Sequence, residues 1–132
     1  MSYFTAERHI RPELLDQEAR DQAKSFIGQK PIPKETLSSS QLRRFYNEFK
    51  QLKTKYDNDE TKDFAAILPL IKMQKSKSAY AANPKNPKIP KAFHSFIEKN
   101  VDSIQGPEDF KAFMLHFEAV VGFFYAQGVP NN

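Results

Sequence analysis

LSSSQLRRFYNEFKQLKTKY, residues 37–56, is the stretch whose reading decides the fold class. Leu42, Phe45, Phe49, Leu52 and Tyr56 recur at spacings of three and four, the period of one helical face. Ser38, Ser39 and Ser40 supply a cap. With Ser38 in that role, Gln41 stands at the third helical position and completes a capping box, each side chain answering the other's free backbone N–H. At about 100° per residue, Arg43, Tyr46, Lys50 and Lys53 align along one flank of the apolar face, while Arg44 and Lys55 point roughly to the opposite side. The stretch predicts an amphipathic helix with a core face, a basic flank holding a tyrosine, and a solvated back. Its charges have a second reading, as an ordinary solvated surface.

The same periodicity, followed outward, predicts five helices and no strand of convincing length: an all-α helical bundle in one compact domain. Residues 1–11 show no period and are expected to form a flexible arm, or one that orders on a partner. Pro12 opens a helix whose stripe, Leu14, Leu15, Ala19, Ala23, Phe26 and Ile27, runs to Gly28 as C-terminal cap. Lys30-Pro31-Ile32-Pro33-Lys34 reads as an extended linker. A third helix, about Thr61 to Ala82, buries Phe64, Ile67, Leu68 and Ile71, and Pro69 is expected to kink it or split it near Leu68. Residues 83–90 form a proline- and lysine-rich loop. A fourth helix, Lys91 to Ile104, carries Phe93, Phe96, Ile97, Val101 and Ile104. The fifth starts at Pro107 and presents Phe110, Phe113, Met114, Phe117, Val121 and Phe124 as a core face until Gly128 stops it.

Composition excludes several classes of function. With no cysteine among 132 residues, there is no disulfide framework, thiolate metal site or cysteine nucleophile. His9, His94 and His116 lack any ligand spacing, and four scattered glycines form no phosphate cradle. Asp57-Asn58-Asp59-Glu60 only superficially resembles a calcium loop, lacking the glycine and the closing glutamate. No catalytic group, metal or cofactor is expected. No apolar run is long enough to span a membrane, no signal peptide is read, and a cytoplasmic setting fits.

The placement of charge says more than the net value of +4. Residues 41–56 hold five basic side chains against Glu48 alone, and residues 72–91 hold six lysines and no acid. Clustered positive charge is the electrostatic footprint of a polyanion partner, nucleic acid foremost. On the third helix, Lys72 and Lys75 share a flank, while Lys77 stands with Tyr80 and Met73 across from them.

Three segments then resemble one family. Leu37-Ser38-Ser39-Ser40-Gln41-Leu42-Arg43-Arg44, Lys75-Ser76-Lys77-Ser78-Ala79-Tyr80 and Phe117-Glu118-Ala119-Val120-Val121-Gly122-Phe123-Phe124 are similar, in order, to motifs of the small subunit of the type III-A CRISPR–Cas effector, the Csm complex. The chain departs from that pattern after Tyr80, where the family's Ala-Gly-Arg is replaced by Ala81-Ala82-Asn83-Pro84-Lys85. Lys85 or Lys88 would then serve for the arginine. Gly122-Phe123 also stands in place of Ala-Tyr.

The resemblance implies an all-helical prokaryotic subunit present in several copies. These would stack head to tail along guide RNA and its paired target RNA beside other Csm subunits, without cleaving the target. Arg43, Lys50, Lys53, Lys75 and Lys77 are the first candidates for phosphate contacts; Arg44, Lys72 and the loop lysine Lys85, with Lys88, form a second set. Tyr46 and Tyr80 are expected to pack rather than to stack on bases. The competing reading is a helical protein-interaction module whose basic flank meets an acidic partner.

Overall fold

The computed structural model describes residues 2–28 and 35–128, so the linker expected at 30–34 lies outside the described residues. Five α-helices follow a short 3-10 turn at Pro12–Leu15: α1 (Gln17–Ser25), α2 (Ser39–Asp57), α3 (Phe64–Ala81), α4 (Lys91–Ser103) and α5 (Pro107–Ala126). The described residues contain no strand, only an isolated bridge between Phe4 and Ile10. The fold is the expected all-α bundle.

The Ser38 hydroxyl accepts the Gln41 backbone N–H at 3.2 Å and so starts α2 where the sequence places it. Ser38→Ala is expected to cost about 1 kcal/mol of unfolding free energy. Urea denaturation with an unchanged slope would register this as a lowered midpoint.

α5 packs against α1 and α2, and α3 lies against α4 and α2. The aromatic face of α5 meets the apolar faces of α2 and α4 edge to ring. The Phe117 centroid lies 5.2 Å from Phe96 and 5.3 Å from Tyr46. Phe26 brings α1 into the same cluster, 5.1 Å from Phe93 and 5.4 Å from Phe96. Such edge-to-face pairs align the positive ring edge with the negative ring face.

Three expectations are corrected, and a fourth, at Pro69, loses one of its two alternatives. The first helix is not continuous from Pro12. The chain leaves helical geometry at Asp16 (φ −129°, ψ −108°), and the Leu14 carbonyl bonds the His116 imidazole of α5 at 2.5 Å rather than an N–H one turn on. A tertiary bond here replaces a helical one.

Gly28 is not a left-handed cap, because α1 already ends at Phe26. A side chain at Gly28 would stand 2.6 Å from the Glu35 Cβ, so glycine is needed for the close approach of the two chain segments.

α3 runs unbroken through Pro69 and is not split. Pro69 lies in its second turn, on the exposed side.

Residues 2–11 are not a flexible arm. Tyr3 is 1% exposed and donates its phenol proton to Asn100 Oδ1 of α4 at 2.8 Å. Arg11 grips Glu18 through both terminal nitrogens, at 2.7 and 3.1 Å. A single aromatic anchored by a polar tip leaves no period to read.

The loop after α3 is pinned too. The Lys88 and Ile89 N–H groups both bond the Ala81 carbonyl, and Ile89 enters the core. Lys85 and Lys88 therefore sit on a fixed turn at the surface.

Candidate nucleic-acid interface

Packing of α2 between α3 and α5 divides the expected cations over different sides of the molecule. The flank carrying Arg43, Tyr46, Lys50 and Lys53 lies beside α5. The Arg43 guanidinium donates to the Tyr125 hydroxyl at 3.0 Å. The Tyr46 ring stands edge-on to Phe117 at 5.3 Å, the packing role expected of it. Burial, with the Glu118 carboxylate second, holds its phenol above the usual tyrosine range. The Lys50 ammonium hovers 5.9 Å from the Tyr46 ring centroid, and Lys53 closes on Asp57 one turn ahead at 2.6 Å.

Lys72 and Lys75 share a flank of α3, as their spacing predicts, and it faces α4. The Lys72 ammonium bonds the Val101 carbonyl at 3.2 Å. Lys75 pairs with Asp102 at 2.5 Å. That hydrogen bond raises the Lys75 pKa and lowers that of Asp102. Asp102 is 27 residues from Lys75, too far for helical spacing to reveal.

Lys77 lies on the other side of α3, facing α2, and binds Glu48 at 3.2 Å. Between the two helices runs a groove of about 490 Å³, bounded by Arg44, Phe45, Glu48, Lys77, Tyr80 and Lys88. Three cations thus stand against one carboxylate. Arg44 and Lys88 form no ion pair among the described residues. Tyr80 is 78% exposed and does not pack, contrary to expectation. The order of precedence read from the sequence is thereby altered: Arg44, assigned to the solvated back, and Lys88 converge on Lys77 across this groove. Lys85 remains outside it on the neighbouring turn.

The family model described as Csm2 Type III-A matches residues 10–128, nearly the whole chain. The chain belongs to the Csm2 Type III-A family. It is therefore a small subunit of the type III-A Csm complex, and association with other Csm subunits comes with that membership. Neither curated proteins nor solved structures give a match.

One constellation in this Csm2 family member superficially suggests catalysis. Ser78 Oγ lies 2.8 Å from His94 Nδ1, and His94 Nε2 lies 3.7 Å from Glu98. Ser78 is fully buried, and its hydroxyl donates to the Lys75 carbonyl at 3.0 Å. With that single proton committed, the imidazole donates from Nδ1 to Ser78 rather than taking its proton. The arrangement fastens α3 to α4 and leaves no accessible nucleophile.

Among the described residues no group of three or more His, Asp or Glu is placed to hold a metal ion. Asp59 accepts the Thr61 N–H at 3.0 Å and its hydroxyl at 2.9 Å, which holds the acid below the usual carboxylate range and uses it in the turn. No described helix is long and apolar enough to cross a membrane.

Proposed function

We propose that the chain is a non-catalytic, RNA-contacting small subunit. Several copies stack head to tail along the guide RNA–target RNA duplex in a cytoplasmic effector of antiviral defence. The observation that carries this reading is the groove between α2 and α3, where Arg44, Lys77 and Lys88 meet with a single carboxylate among them. Lys50 and Lys85 add charge without an ion-pair partner among the described residues. Phosphate contacts of this kind fix position and carry no sequence information, which suits a partner whose specificity comes from base pairing.

Arg43, Lys53, Lys72 and Lys75 serve the same duplex more weakly, since each already engages a group of its own chain, as Lys77 does with Glu48 inside the groove, where Arg44 and Lys88 are the cations outside any ion pair among the described residues. An exposed ion pair is worth little, so phosphate can draw Lys53 or Lys75 away, but it must compete. Repetition along a filament raises the modest affinity of one protomer through effective concentration.

The test is titration of a guide–target RNA duplex at two salt concentrations. The parent chain is compared with Arg44→Ala/Lys77→Ala/Lys88→Ala and with Arg43→Ala/Lys50→Ala/Lys75→Ala. Parent binding should weaken steeply with salt. The groove variant should lose about one unit of logarithmic salt slope for each phosphate contact removed, and more than the second variant loses. Binding indifferent to salt, or equal in all three proteins with helical circular dichroism intact, would overturn the electrostatic reading. No RNA binding by any of them would favour an acidic protein partner.

A further inference from the structure

Tyr80 has the most exposed ring of the protein, whose other aromatics are buried or partly buried apart from Tyr125 at 39%. It stands 78% exposed at the edge of a groove whose floor holds Phe45, itself 3% exposed. Lys77 precedes it by three positions on the same helix, a spacing that makes the two side chains surface neighbours. Arg44 and Lys88 approach from α2 and from the pinned loop. A flat, open π face ringed by cations matches the chemistry of a nucleotide: a base to stack, a phosphate to neutralise. The cavity volume falls within the range of small-ligand sites, about 300–1,000 Å³.

We propose that this groove receives one unpaired nucleobase of an RNA strand, stacked on Tyr80, with its phosphate held by Arg44 and Lys88. Glu48 and Lys77, joined at 3.2 Å, stand where they can offer an acceptor and a donor to the base edge. The proposal deepens the RNA-contacting reading above and rests on it. It adds a site for an extruded base to contacts that otherwise see only a duplex backbone. Stacking tolerates every base, because each has a π face, so the site selects for unpairedness rather than sequence. A regularly paired duplex cannot use Tyr80 in this way.

The experiment uses the full-length chain and three RNA duplexes: fully paired, with one single-nucleotide bulge, and with an abasic residue at the bulge. The parent should prefer the base-containing bulge over the other two by about 5- to 150-fold, the range expected from base–aromatic stacking. Tyr80→Ala should abolish that preference while keeping salt-dependent binding of the paired duplex, and Tyr80→Phe should retain it. Because the ring is exposed, either variant keeps the core intact, and circular dichroism checks it. Equal binding of the bulged and abasic duplexes, or a preference that survives Tyr80→Ala, overturns the base site alone. No binding of any duplex overturns both readings. Saturable binding of adenosine 5′-monophosphate with no preference among the duplexes would assign the groove to a free nucleotide and overturn the strand-bound base.

Discussion

Phe117→Ala is expected to lower the unfolding free energy by about 3–5 kcal/mol, the largest effect of any single truncation considered for this chain. Phe117 is fully buried on α5 and lies within 6.3 Å, centroid to centroid, of Tyr46, Phe49, Phe93, Phe96 and Phe113. Those rings come from α2, α4 and α5 itself, so the residue joins three helices at one point. Removing it forfeits the transfer term and leaves a cavity that large, rotamer-locked neighbours cannot easily fill. A domain of ordinary stability holds only about 5–15 kcal/mol in all. Phe123, partly exposed beneath the Arg20 guanidinium at 4.6 Å, is the natural control and should cost far less as Phe123→Ala. Urea unfolding at constant slope would measure both. A Phe117→Ala midpoint as close to the parent as that of Phe123→Ala would show that the aromatic cluster is not the keystone of the bundle.

Those rings were the legible part of the sequence. Phe45 and Phe49, Phe93 and Phe96, and Phe110, Phe113 and Phe117 announce helical faces because spacing of three or four residues has no other simple use. Periodicity assigns a residue to a face, however, and is silent about what that face meets. Tyr3 was invisible for this reason: one aromatic whose hydroxyl finds Asn100, 97 residues away, makes no pattern. Ile89 lay hidden in the same way among prolines and lysines, although it is buried in the core. The interruption at Asp16 was equally unreadable, because it depends on the Leu14 carbonyl being claimed by His116, 102 residues on.

The candidate site was legible as charge and illegible as geometry. The density of lysine and arginine on α2 and α3 pointed to a polyanion, and it was right to separate Lys72 and Lys75 from Lys77. What one helix cannot disclose is that α5 would lie along its first basic flank and α3 along the other. That arrangement gives Arg43 to Tyr125 and leaves Arg44 facing Lys77 and Lys88. Opposed helices also decide which charges are already answered: Lys75 by Asp102, Lys77 by Glu48. A count of cations per segment therefore overstates what is free to meet phosphate on one flank and misses what is gathered in the groove.

Acidification is expected to destabilise the fold through His116 before any carboxylate contributes. Burial is the largest influence on this imidazole and pushes its pKa below the ordinary value of 6.5; the bond to the Leu14 carbonyl and the nearby Glu18 oppose the shift, and Arg11 reinforces it. Above the ordinary value the ring is neutral in both folded and unfolded chains, and stability is indifferent to it. As pH falls below that value, the unfolded chain takes up a proton that the folded chain refuses. The unfolded state then binds more protons, and stability falls at up to about 1.4 kcal/mol per pH unit until the folded pKa is reached. Glu18 acts in the same direction at lower pH, since its hydrogen bond to Arg11 depresses its own pKa, and that contribution is lost as pH falls through the folded value. His9 and His94 are common to both proteins, so comparison of the parent with His116→Gln isolates the buried ring. Glutamine can still donate to the Leu14 carbonyl but carries no titrating proton. The difference between the two unfolding free energies, followed by urea denaturation downward from neutral pH, should shrink or reverse below about pH 6.5. A difference independent of pH would mean that the imidazole takes up its proton as readily in the folded chain as in the unfolded one, and that burial against the Leu14 carbonyl does not hold it neutral.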